Sequence, residues 1–227
     1  PDEVMPPAKE DKALKPQQVE LLKRWIKEGA IWAGHWSFEP ITKPAVPKAA
    51  LSHAPIDAFV QARLKTESLK PSPEEDKGRL IRRVSLDLTG LPPSIQEVDD
   101  FVMDRSPKAF EKVVDRLLAS PHFGERLALP WLDLARYGDT SGYHNASLRD
   151  MWLWREWVVK AFNANMPFDE FTVAQLAGDL LPQATVQQQV ASGFHRNHMT
   201  SDEGGLIDAE YRNLYVVDRV STTGVTW

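Results

Sequence analysis

Apolar residues along this chain recur at intervals of three and four, and seldom at intervals of two. Phe110, Val113, Val114, Leu117 and Leu118 follow the i, i+3, i+4, i+7, i+8 spacing that lines one face of an α-helix. Ile56, Phe59, Val60 and Leu64 make a second stripe of this kind, and Leu80, Ile81, Val84 and Leu88 a third. Met151, Trp154, Trp157, Val158, Ala161 and Phe162 make a fourth, on a longer helix. Residues 211–220 are rich in β-branched side chains and are read as helix. The pattern predicts an all-α chain.

Helix-start signals support this. In "SPEE", Ser72 reads as a cap, Pro73 as the first helical residue and Glu75 as the closing member of a capping box. "SIQE" repeats the box with Ser94 and Glu97, and "TVQQ" gives a Thr185–Gln188 version. Ser106-Pro107 and Ser120-Pro121 are two further cap-plus-proline starts. A separate helix is expected from about Pro16 to Glu28, with Val19, Leu22 and Ile26 on one side, Leu21 and Trp25 beside them, and Gly29 as its stop.

Breaker residues divide the chain. "HWSFEPITKPAVPKAALSHAP" holds four prolines in 21 residues with no sustained period. It reads as an extended linker, residues 35–54, between an N-terminal segment at 1–34 and a domain of about eight helices at 55–227. "TGLPPS" at 89–94 reads as a tight turn. "GDTSGYHNAS" at 138–147 and "HRNHMTSDEGG" at 195–205 read as polar loops, the places where binding residues tend to sit.

Composition narrows the chemistry. At 227 residues, 42% hydrophobic and 26% charged, the sequence is that of an ordinary globular protein. Its net charge of −5 argues against a nucleic-acid partner, which selects for a basic face. No apolar run approaches the roughly 18 residues of a membrane span, so no transmembrane segment is expected. There is no signal peptide and no initiating Met, which points to a processed or truncated product. Cysteine is absent. Its absence excludes disulfides, thiolate catalysis, iron–sulfur clusters, cysteine-bound zinc and a haem attached through C-x-x-C-H. Phosphate-loop, dinucleotide-binding and nucleophile-elbow motifs are also missing.

Three groups of residues remain as candidates. Met5, before Pro6-Pro7 and the first helix, is either packing or a thioether ligand. His195 and His198 are three apart, with Asp202 and Glu203 following. On a helix the two imidazoles share a face and can hold zinc or non-haem iron with a carboxylate, or face a haem or a substrate. The alternative is a polar loop capping helix ends. Third, Arg136, Asp139, His144, Arg149 and Arg155 lie among tryptophans, with Arg136 and Asp139 spaced as a same-face helical pair. Such a cluster suits a saccharide or acid–base site, or a buried ion-pair network under an aromatic core.

Long stretches of the chain resemble a known family. "VMPPAKEDKALKPQQVELLKRWIKEGAIWAGHWSFEP" is similar to the tail of a planctomycete-type cytochrome c domain. "RRVSLDLTGLPPS", "VVDRLLASPHFGERLALPWLDLARYGDT", "MWLWREWVVKAFNANMPFDEFTVAQLAGDLLP" and "ASGFHRNHMTSDEGGLIDAEYR" resemble the domain of unknown function that follows it. The resemblance implies that Met5 is the axial ligand of a haem c held by residues outside this chain. It also implies an extracytoplasmic location, haem-binding segments of the same polypeptide or complex as partners, and redox partner proteins. In that family C-x-x-C-H motifs precede the Met loop and follow the segment matching "VVDRVSTTGVTW". Neither motif occurs here, so the chain reads as the piece between two haem-attachment sites. The implied role is an accessory module of a large c-type cytochrome, serving electron transfer or substrate oxidation. The alternatives are a carbohydrate-active or metal-dependent enzyme domain using the Arg136–Arg155 and His195–Glu203 clusters, and a structural partner-binding domain.

Overall fold

The computed structural model describes residues 14–32, 34–48, 54–142, 147–201 and 204–227. The fold is all-α: ten α-helices and, among the described residues, no strand, only two isolated bridges. The chain forms two compact units, residues 1–72 and 73–227.

In the first unit, α1 spans Pro16–Lys27 and α2 spans Pro55–Thr66. A proline opens each helix, where its missing N–H leaves no bond unmade. Helix α1 stops as its pattern predicts: Gly29 takes φ +101°, a left-handed conformation that costs glycine little. No residue of α1 is buried, and Leu21, Leu22, Trp25 and Ile26 are exposed. In α2 the predicted stripe is not an interior face. Ile56, Phe59 and Val60 are exposed, and Ala58 is the buried residue. Spacing places residues on one face of a helix but does not supply a surface to cover it. Between the helices the described linker is irregular apart from a 3₁₀ turn at Trp36–Phe38.

The second unit holds α3 (Lys77–Thr89), α4 (Ile95–Met103), α5 (Ala109–Leu118), α6 (Pro121–Leu134), α7 (Trp152–Asn163), α8 (Phe168–Ala177), α9 (Val186–Ala191) and α10 (Asp208–Thr226). Among the described residues nine helices therefore follow residue 54, against about eight expected. The ambiguous stretch 211–220 lies inside α10. Ser94 with Glu97 and Thr185 with Gln188 form capping boxes, and Ser120 accepts from the His122 N–H. Two predicted starts are displaced. Asp76, not Ser72, caps α3, its Oδ1 accepting from Arg79 N at 3.0 Å. Asp is as good a cap as Ser, and Ile81 of this helix is fully buried. The Ser106-Pro107 pair makes a turn, and α5 begins at Ala109, whose N–H reaches Ser106 O at 3.1 Å.

Two apolar cores result. Helices α3, α4 and α5 bury Ile81, Phe101, Ala109, Val113 and Leu117. The larger core gathers Ala128, Trp154, Trp157, Val158, Ala161, Phe171 and Phe194 from α6, α7, α8 and the 3₁₀ turn Ser192–Arg196 that follows α9. Trp157 stacks on Phe171 at 5.4 Å and Trp131 meets Phe171 edge-on at 5.0 Å. Gln175, fully buried, is satisfied there: its Oε1 accepts from Trp131 Nε1 at 3.1 Å. At the end of α10, Trp227 closes on Phe194 at 4.7 Å and on Trp131 at 5.1 Å.

Candidate functional site

The described candidate residues gather where the loop between α6 and α7 meets the loop between the Ser192–Arg196 turn and α10. Helix α6 ends at Leu134, and Arg136 takes φ +58°. That left-handed residue breaks the helical register, so Arg136 and Asp139 do not form the predicted same-face pair. Arg136 pairs instead with Asp218 of α10. Asp139 accepts from the Tyr137 hydroxyl at 2.6 Å and lies 3.8 Å from Arg155. Arg155 also donates to Tyr137 at 3.1 Å and to Glu156 at 3.1 Å. Burial pushes the Tyr137 hydroxyl up to about 12, and its bond to Asp139 adds to the effect.

Arg149 fastens the two loops together. Its Nη1 donates to His198 O at 2.7 Å and its Nη2 to Asn197 O at 3.2 Å. Its own N–H donates to Asp139 O at 2.9 Å, and Thr200 N donates to Ser141 O at 2.9 Å across the same gap. A guanidinium suits this work because its planar fork meets two carbonyls at once. The cluster read as a possible saccharide or acid–base site is thus occupied with internal contacts at Arg136, Arg149 and Arg155.

The two histidines do not converge. The chain leaves the 3₁₀ turn at Arg196, so the shared helical face expected of i and i+3 is lost. His195 directs Nε2 to Leu176 O of α8 at 3.2 Å. His198 places Nδ1 3.1 Å from His195 O, and the Arg219 guanidinium of α10 lies 3.3 Å from both ring nitrogens, its Nε against Nδ1 and its Nη2 against Nε2. Burial lowers the His198 pKa below its usual 6.5, and the Arg219 charge lowers it further. Among the described residues no cluster of His, Asp and Glu could hold a metal ion. Met5, His144, Asp202 and Glu203 lie outside the described residues.

Several groups here were not legible in the sequence. Asp218 and Arg219 come from α10, far along the chain, and carried no motif. Asn197 is 2% exposed, and both its amide atoms lack a partner among the described residues. Beside this knot a cleft of about 570 Å³ opens between the start of α7, α9 and the Ser192–Arg196 turn. Asp150, Trp154, Asp179, His195, Arg196 and Arg219 line its polar part.

Compared with known proteins, the family described as PSCyt2, protein of unknown function (DUF1549), matches residues 55–227. No curated protein and no solved structure matches the chain.

Proposed function

The chain belongs to the PSCyt2 family, a planctomycete cytochrome-c-associated domain of unknown function, and from that membership we propose that it is a helical accessory module of an extracytoplasmic c-type cytochrome protein. In this reading haem-bearing segments of the same polypeptide or complex are its partners, and the helical domain holds them in place. The residues present do not build a c-type haem site of their own, because thioether attachment needs thiols and the sequence has no cysteine. Met5 contributes one axial thioether to a haem anchored elsewhere.

The observation that carries the proposal is α1. It follows the Met-Pro-Pro segment, buries none of its residues, and exposes Leu21, Leu22, Trp25 and Ile26. An apolar helix face of this kind, following a candidate axial ligand in the sequence, suits packing against a haem-bearing partner. The internal pairing of Arg136, Arg149 and Arg155 supports an architectural role for the loop cluster rather than a catalytic one.

The test is to produce the complete gene product in a host that attaches haem c. Covalent haem is expected on a region other than residues 1–227 or on a co-purifying protein. The Met5→Ala variant should lose the spectroscopic signature of thioether–iron ligation, and its reduction potential should fall while helical content stays unchanged. No covalent haem on the product or any co-purifying chain, or a haem spectrum untouched by Met5→Ala, overturns the reading.

A further inference from the structure

The cleft beside the loop knot holds charged groups that the rest of the unit leaves unspent. Asp150, Asp179 and Arg196 line it and make no hydrogen bond or ion pair among the described residues. Nearby Arg136, Arg149 and Arg155, by contrast, are all engaged internally. Arg219 adds a second guanidinium to the wall while it donates to His198. His195 donates from Nε2 to Leu176 O, so in that tautomer Nδ1 is an acceptor still to be satisfied. The volume, about 570 Å³, is that of a small-molecule site.

We propose that this cleft binds a small neutral saccharide. Two carboxylates and two guanidiniums line the cleft, so the wall has no net charge with which to select an ion. The carboxylates only accept hydrogen bonds and the guanidiniums only donate them. A hydroxyl does both, and several hydroxyls on one ring can satisfy all four groups together. A zwitterion with one ammonium and one carboxylate would satisfy one group of each sign. It would leave the remaining groups with water alone as a partner. Between the charges, Leu153, Val186 and Val190 offer aliphatic surface to the C–H face of a sugar ring. Trp154 is 2% exposed, so it forms part of the floor and is not a stacking platform. Gly193 keeps that floor open, since a Cβ there would come within 3.3 Å of Trp154 Cβ.

The site shares His195 with the histidine cluster and Asp150 with the mixed-charge stretch Arg136–Arg155, and it does not depend on the haem-partner reading. The test is calorimetric titration of the full chain with a panel of neutral hexose and pentose mono- and disaccharides, with glycine and inorganic phosphate as charged comparators. At least one sugar should bind saturably. Asp179→Ala and Arg196→Ala should each weaken it about tenfold or more, since each removes hydrogen bonds from a charged group. Both side chains are exposed, so circular dichroism and the melting temperature should hold. Lys112→Ala, on α5, should leave binding unchanged. Three results overturn the proposal: no saturable binding of any neutral sugar, tighter binding of glycine or phosphate, or undiminished sugar affinity in both cleft variants.

Discussion

At the scale of the residue, His198 shows how one side chain comes to be committed. It is 7% exposed, its ring faces Tyr215 at 5.2 Å, and Arg219, Arg149 and Asp218 supply the surrounding charges. Burial and the neighbouring guanidinium disfavour the imidazolium, so the native pKa lies below the unfolded value of 6.5. As pH falls through the mid-6 range the unfolded chain binds more protons than the native one. The stability linked to His198 is therefore fully present above 6.5 and drains away as pH drops toward the native pKa. The urea midpoint of the wild type should fall between pH 7.5 and 5.5, and His198→Gln should flatten that dependence. An unchanged slope in the variant would show that other groups carry it. The sequence made His195 and His198 visible as a pair. It did not show that one reaches back to α8 and the other is held by α10, because those partners are 19 and 21 residues away.

At the scale of the element, close approach of helices is decided by small residues. Helix α6 lies along α7, and Gly124 is buried at their crossing. A Cβ there would meet Val159 O at 2.4 Å and the Asn163 side-chain amide at 2.6 Å. Asn163 needs that proximity: its Oδ1 accepts from Gly124 N at 2.8 Å and its Nδ2 donates to Pro121 O at 3.0 Å, tying the first turn of α6 to the end of α7. Gly124→Ala should therefore cost about 3 kcal/mol by urea unfolding, as overpacking of a tight contact does. Gly138→Ala, with nothing within 4 Å of the added carbon, should shift stability by less than about 0.5 kcal/mol. Helix starts were legible where a cap and its partner lie within three residues, as at Ser94–Glu97 and Thr185–Gln188. The Ser72 and Ser106 signals were equally good locally. Yet Asp76 supplies the cap of α3, and Ser106 instead accepts from the Ala109 N–H in the turn that precedes α5.

At the scale of the whole molecule, residues 73–227 form one compact unit holding both apolar cores, whereas the family match begins at residue 55, with α2. A fragment of 73–227 is expected to fold alone, with helical circular dichroism, buried-tryptophan emission and one cooperative urea transition. A broad, non-cooperative transition would place α2 inside the folding unit. The sequence by itself determined the all-α class, the helix starts at Pro16, Ile95, Pro121 and Val186, the aromatic stripe of α7 and, through the missing cysteines, the impossibility of thioether-bound haem on this chain. Each of these follows from spacing within a few residues or from composition, and helical hydrogen bonds and caps span only three or four positions. Only the tertiary structure decided which charges are spent and which are free. Arg136 meets Asp218 across 82 residues, and Arg149 meets His198 O across 49. Asp150, Asp179 and Arg196 are left to face a common cleft. Such pairings depend on the path of the chain through space, which no local pattern of residues records.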